Sequence, residues 1–548
     1  MAEYSTIEIL SIGPGSLVEN ALDSRRGTAV REIVRHSRRE FLAIAGTCGA
    51  MRFAIPPLSA AAIARNAQQS IAARLAGDPL RPQFHLLPAR NWMNDPDGPI
   101  YWNGRYHMFF QYNPNGAFWG DMHWAHAVSP DMVHWKHLPV ALAPTPGGPD
   151  QDGCFSGSAV LQGATVAILY TGVRSAAAAD ATLRDGTHNF LETQCLATCR
   201  DALLLTWSKL SVPVLPPPRD SKLTGFRDPC LWQEGQRWYM GVGSGQRGEG
   251  GRVLLYTSTD LRTWEYLHPL ASGKSNGKQA FDPVDAGDMW ECPDFFPLGK
   301  KHALLYSTER RVYWEIGEYD RKERLFYPEK RGFLDGGAFY APKSQLDAKQ
   351  RRILWGWIPE TRPEAEFRAS GWAGCMSLPR VLSLGADDAL TMQFLPELSA
   401  LRSAGFALPP RDQGKEPRRD ALRNLALSEA ACDMELQIRR EKLDLMLSDG
   451  KNPILSLSFD PSRSGGELKL GTKSAGVTAV SGGEHKLRIL LDASVAECIV
   501  DDRVVVTERC YTAPAARVLV NIGEPDLDAI TALHVWQIKP ISKDRLSS

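Results

Sequence analysis

The octapeptide NWMNDPDG at residues 91–98 carries two carboxylates, Asp95 and Asp97, among a Trp, a Met and two Asn. A Pro-Asp-Gly run makes a turn without doing any chemistry, so these acids become informative only in company. Asp152 in QDGCFSGSA, Asp228 in FRDPCL, Glu291 in MWECPDFF and Asp335 in FLDGGAFYA each stand, as Asp95 does, at the start of an apolar, aromatic-rich segment. If the five segments were arranged in a circle, their acids would ring one mouth. Clustered carboxylates serve either a divalent cation or acid–base work on a polyol. Calcium favours a compact run of oxygen ligands such as the EF-hand loop, and none is present. Glycosidic cleavage requires one ionised carboxylate and one protonated carboxyl across the sugar. Like-charge proximity and burial raise one of the two and so supply the acid.

The elements that must position these acids read as hairpins. GPIYWNGRYHMFFQY, GSAVLQGATVAILYTG, DPCLWQEGQRWYMGVGS, CPDFFPLGKKHALLYST and GAFYAPKSQLDAKQRRILWGW each give a short apolar strand, a polar turn and a second aromatic-rich strand. A second element recurs between them, in HAVSPDMVHWKHL, LATCRDALLLTWSKL and LYTSTDLRTWEYL, where Ser or Cys, then Asp, then Trp mark an outer hairpin. Five such units over residues 80–390 suggest a five-bladed β-propeller, because stacking in a ring buries both faces of every blade; an open sandwich of hairpins is the alternative. Residues 391–420 read as a linker with a short helix in QFLPELSALR, and 421–545 as a C-terminal β-sandwich of alternating strands. The fold class is therefore all-β.

Composition narrows the partners. Lys plus Arg equals Asp plus Glu at 63 each, with no basic stripe, which excludes an electrostatic case for nucleic acid. Near the N-terminus, HSRREFLAIAG pairs Arg38 and Arg39 ahead of a small apolar run, which resembles a twin-arginine export signal, with AIA at 62–64 as the cleavage site. Residues 1–64 are thus expected to be an N-terminal extension plus signal, and the mature protein to be periplasmic or extracellular without stable membrane insertion. Ten Cys are scattered singly, so no disulfide scaffold is expected. His123, His126, His134 and His137 form two H-x-x-H pairs, but residues three apart on a strand face opposite sides. No metal is expected, no Gly-rich phosphate loop is present, and no cofactor is called for.

The motifs, in order, resemble glycoside hydrolase family 32, the β-fructofuranosidases: WMNDPDG (92–98), QYNP (111–114), FWGDMHWAHAVSPDMVHW (118–135), FSGSA (155–159), FRDP (226–229), WECPD (290–294), YAPKS (340–344), GWAGCMSLPR (371–380) and LDASVAEC from Leu491. The resemblance implies a propeller plus sandwich and a retaining hydrolysis of terminal β-D-fructofuranosyl units from sucrose, inulin or levan. It implies Asp95 as nucleophile, Glu291 as acid then base, and Asp228 as transition-state stabiliser with Arg227 beside it. Retention would place the Asp95 and Glu291 carboxyls roughly 5 to 5.5 Å apart. Asn94, Gln111, Trp119, Phe155 and Ser156 match the lining of the fructose pocket, and Cys292 follows the acid directly, where it either tunes that acid or simply packs. Asp97 departs from the common Asn and is expected to face solvent without effect on Asp95. Transfer of fructosyl units to a sugar hydroxyl, or a non-catalytic fructan-binding propeller, remain alternatives.

Overall fold

Asn103 and Gly104, both at positive φ, close a two-residue hairpin between Asn91–Trp102 and Arg105–Asn113, as an Asn-Gly pair favours. The same strand–turn–strand logic repeats along the chain in this computed structural model. It describes residues 60–547 except 221, 440–441, 462–464, 478–482 and 514–516. The expected Arg38–Arg39 signal lies outside the described residues. The helix Ala60–Ala76 runs through the expected cleavage point after Ala64.

Five antiparallel sheets follow, with inner strands Asn91–Trp102, Gly153–Gln162, Leu223–Glu234, Glu291–Leu298 and Tyr340–Leu346. Each inner strand neighbours the next, and the fifth neighbours the first, so the blades close a ring. Between the second and third strands of blade five the chain returns to blade one, where Trp372–Ala373 pairs in parallel with Asn91 and Trp92. The recurrent Asp-to-Trp element is a turn joining the third and fourth strands. In blade one Asp131 accepts the Val133 and His134 N–H groups while the Trp135 indole donates to the Met132 carbonyl. Asp260 and Trp264 repeat this in blade three.

The segment expected to be a linker, 391–420, is largely structured. Leu390–Phe394 is the outer strand of blade five, and Arg402–Ala407 pairs with Ile530–Ile538 in the sandwich. Two six-stranded sheets make that sandwich, so it begins with Arg402 rather than 421. Its strands alternate buried and exposed residues, for example Leu436 and Ile438 against Gln437 and Arg439, and the inward set forms one apolar core. A separate core runs from blades one, four and five into the sandwich through Ala431, Leu490 and Val505.

Candidate active site

Every inner strand carries a bulge at the same height. The ladder skips Asn94–Asp95, Phe155–Ser156, Asp228–Pro229, Cys292–Pro293 and Ala341–Pro342 in blades one to five. A bulge bends the strand and re-aims its side chains, and here bulged residues of blades one to four line one cavity, joined by Tyr340 just before the bulge of blade five. The first bulged residue is left-handed in blades three to five, with φ of 61° at Asp228, 48° at Cys292 and 52° at Ala341. That turn swings an N–H out of its own ladder to the preceding blade. Asp228 N donates to Thr171 Oγ1, Cys292 N to Asp228 Oδ2 and Ala341 N to Ser307 Oγ. Blade two reaches back similarly, from Gly157 N to Asp97 Oδ1.

The expectation of five acids at one equivalent position is corrected by this geometry. What repeats is the bulge, and the acids occupy different places on it: Asp95 second, Asp228 first, Glu291 just before. These three line one cavity of about 570 Å³. Asp152 does not line it; its Oδ2 accepts the Ser175 N–H near the surface. Asp335 does not either, being buried against the sandwich, where it accepts the Thr507 N–H and hydroxyl and pairs with Arg380. Asn94, Gln111, Trp119, Phe155, Ser156, Arg227 and Cys292 all line the cavity with the three acids.

Asp95 accepts from Ser156 Oγ at 2.7 Å, Asn94 Nδ2 at 3.1 Å and Cys292 Sγ at 3.4 Å. Asn94 is itself oriented by the Trp92 indole, which donates to its Oδ1. Burial raises the Asp95 carboxyl above its ordinary value; the Ser156 and Asn94 donors oppose this, and the charge of Glu291 adds to it. Asp228 is pushed up to about 7, first by burial, against the pull of Arg227 and with the repulsion of Asp95 and Glu291. Glu291 is held from both sides. Arg227 donates Nε and Nη2 to its Oε1 at 3.1 and 2.8 Å, and the Tyr340 hydroxyl donates to Oε2 at 2.6 Å. Burial, then the Glu291 charge, keep that phenol protonated.

Three participants escaped the sequence reading. Glu192 anchors Arg227 through Nη1 at 2.8 Å and also accepts the Phe226 N–H. Tyr340 stood within YAPKS without a role. Asp97, expected at the surface, is 0% exposed and accepts from Gln111 Nε2 at 3.1 Å as well as from Gly157 N. The strand simply continues through Pro96–Gly98 to Trp102, with Pro96 and Asp97 paired to Phe110 and Phe109 between two register shifts, so the Pro-Asp-Gly run is strand rather than turn. His126, from the rejected H-x-x-H pairs, is buried and bonded to His107 at 2.9 Å, and no metal-ligating group is found among the described residues.

Two carboxyls beside each other on a hydroxyl-lined cavity, one carrying donors and one carried by an Arg and a Tyr, define a glycosidase built on a propeller. The glycosyl hydrolases family 32 N-terminal domain matches residues 85–394. The chain is 33% identical to sucrose-6-phosphate hydrolase of Escherichia coli over 84% of this chain and 96% of that one. Among solved structures, the β-fructofuranosidase of Bombyx mori, a variant in complex with sucrose, superposes with a TM-score of 0.71 at 29% identity, covering 87% of this chain and 98% of that one. Fructan 1-exohydrolase IIa of Cichorium intybus, a variant in complex with 1-kestose, gives 0.69 at 26%, covering 84% and 98%. The chain belongs to glycoside hydrolase family 32, and its five-bladed propeller with a C-terminal sandwich is the architecture of those relatives.

Proposed function

We propose that this glycosidase releases terminal β-D-fructofuranosyl units from sucrose and short fructans by double displacement, outside the cytoplasm. The observation that carries the reading is the convergence of Asp95, Asp228 and Glu291 on one cavity. Asp95 attacks the anomeric carbon; its three donors hold one orientation, and its raised basicity favours bond formation. Glu291 protonates the departing oxygen. Arg227 occupies Oε1 with two N–H groups, which leaves Oε2, beside the Tyr340 hydroxyl, to carry the proton. The same group then activates water on the covalent intermediate. Asp228, fixed by the Cys292 N–H, faces the positive charge that develops on the sugar.

The mouth supports a second sugar ring. Trp119 is 40% exposed at its edge and meets Phe155 and His188 at centroid distances of 5.9 and 5.0 Å. Phe281, 81% exposed, projects from the loop carrying Asp282 and touches Gly186 of the blade-two excursion. Exposed aromatic faces suit sugar rings. Phosphorylated sucrose is a second reading, favoured by Arg184 and Lys473, which line the cavity and form no ion pair with a described residue.

Product analysis tests the proposal: sucrose, sucrose 6-phosphate, inulin and levan are incubated with wild type and Asp95→Asn. Free fructose from sucrose in wild type, reduced about 10⁴-fold or more in the variant, is expected. Longer oligosaccharides would instead identify a transferase, a preference for the phosphate ester the second reading, and no product at all a binding propeller. Export is tested on cells by the N-terminus of the accumulated protein; a cytoplasmic chain retaining residues 1–64 would refute it.

A further inference from the structure

Asp97 is the position where this chain spells its first motif differently, and the side chain is wholly buried between blades one and two. Its two oxygens face two N–H donors: Oδ2 takes Gln111 Nε2, and Oδ1 takes Gly157 N. Gln111 spends its other amide hydrogen on the Cys154 carbonyl at 2.9 Å. Both hydrogens of that amide are therefore committed to groups that can only accept, so the nitrogen is pinned inward and Oε1 is left over. Gln111 lines the cavity, and its Oε1 accepts no bond from any described residue. A sugar hydroxyl meeting Gln111 is thus offered an acceptor and must donate.

We propose that Asp97 is a specificity-determining positioning residue: it fixes the amide orientation of Gln111, and so dictates that this part of the fructosyl pocket accepts a hydrogen bond rather than donating one. The proposal rests on the fructosyl reading above. An Asn at 97 offers one oxygen and one NH₂ in place of two oxygens. If its oxygen turns to Gly157 N, its NH₂ faces the Gln111 NH₂, and the Gln111 amide flips or moves away. If its oxygen turns to Gln111, its NH₂ faces the Gly157 N–H. Neither arrangement satisfies both donors. The charged and titratable groups acting on Asp97 are Asp95 on its own strand and Lys343 from blade five. Lys343 is buried in the channel, where Asp294, Cys230, Cys292 and Asp228 from blades three and four act on it. Burial, and then the Asp95 charge, favour the neutral form of Asp97 while Lys343 opposes it. The geometry is that of the ionised group: each oxygen faces an N–H donor, and a proton on either would face a donor instead of an acceptor.

The experiment compares wild type with Asp97→Asn on sucrose and on analogues in which single fructosyl hydroxyls are replaced by fluorine, which cannot donate. In wild type one fluorinated position is expected to lose kcat/KM by roughly tenfold or more, because Oε1 is left without a donor. In Asp97→Asn that one loss shrinks severalfold, while KM for sucrose itself rises roughly 3- to 10-fold and kcat changes less. A purely structural Asp97 would lower Tm and scale all substrates together. An identical ranking of analogues in the two proteins overturns the proposal. Should Asp97→Asn fail to fold, Asp97→Ser, which keeps a single small acceptor, is read the same way. Without substrate, the Gln111 side-chain NH₂ in isotope-labelled protein exchanges with solvent slowly in wild type and faster in either variant. Equal exchange rates overturn the proposal even if sucrose proves not to be the substrate, whereas absence of sucrose cleavage with the exchange contrast intact sinks only the fructosyl reading.

Discussion

Asp228 concentrates strain and charge in one residue. Its φ of 61° is unusual for a residue with a side chain, its carboxyl is buried, and its Oδ2 receives the Cys292 N–H. Holding an acid at about 7 in the fold when its unfolded value is near 3.9 has a defined sign. Between those two values the unfolded chain has shed a proton that the folded chain keeps, so stability falls as pH rises from about 4 to about 7. Asp228→Asn removes that titration. The variant should lose activity by roughly 10²- to 10³-fold and yet be more stable than wild type at pH 8, by at most about 4 kcal/mol. Urea unfolding at pH 4 and pH 8 measures this; equal wild-type and variant curves at both pH values would refute the buried, ionisation-resistant acid. Tyr340 belongs to the same scale. Tyr340→Phe removes a hydrogen bond to Glu291 Oε2 worth about 1.5–3 kcal/mol if it strengthens in the transition state. A drop in kcat of roughly 10- to 100-fold is expected, with sucrose KM little changed, and steady-state kinetics decide.

At the scale of the strand, the bulge is the device that turns five plain hairpins into a site. It was only half legible in the sequence. Alternation and aromatic runs revealed the hairpins, and the recurring acids pointed at the strand starts. The X-Pro steps at Pro229, Pro293 and Pro342 are the visible trace of the bulges, and Pro96 directly follows one, since Pro has no N–H to give a ladder and is tolerated in strands at such breaks. The register shift itself was not legible, because it is a relation between two strands and no single strand records it. Glu192 was hidden for the same reason. Its partner Arg227 lies on the next blade, and only the closed ring makes them neighbours. Ala341 tests the geometry. It is buried in blade five at φ 52°, where a left-handed residue with a Cβ costs about 1–2 kcal/mol. Ala341→Gly should hold or raise stability, whereas the β-branched Ala341→Val should lose about 2 kcal/mol or more. A calorimetric Tm unchanged by Val would mean that the left-handed bulge is dispensable.

At the scale of the whole molecule, propeller and sandwich are joined by buried charge as well as by apolar packing. His85, preceding blade one, donates from Nδ1 to Asp492 Oδ2 at 2.7 Å and from Nε2 to Glu497 Oε1 at 3.0 Å, both partners lying in the sandwich. Glu497 also accepts the Leu378 N–H and pairs with Arg380, which reaches Asp335 as well. Carboxylates only accept, so an imidazole bonded to one at each nitrogen is the doubly protonated cation. Burial works against that charge, but the bonds to Asp492 and Glu497 outweigh it and hold the His85 pKa above its ordinary value. The sign follows. A base with a raised folded pKa contributes stability that is complete below its unfolded value near 6.5 and is lost as pH rises through the folded value. Glu497 is shifted the other way. Burial raises it, but Arg380 and then His85 bring it below its ordinary range, so its contribution is present above about 4.3 and lost on acidification. The seam is therefore firmest in mildly acidic solution, and loosening it frees the sandwich from blades that carry the site. His85→Gln keeps a donor but not the charge. Wild type should lose more Tm than His85→Gln between pH 6.5 and 9, with the variant lower by several degrees at pH 6 and the two converging at high pH. Scanning calorimetry across that range decides: parallel curves would show that His85 is not held as a cation, and the joint would then rest on apolar contact and the Arg380 pairs alone.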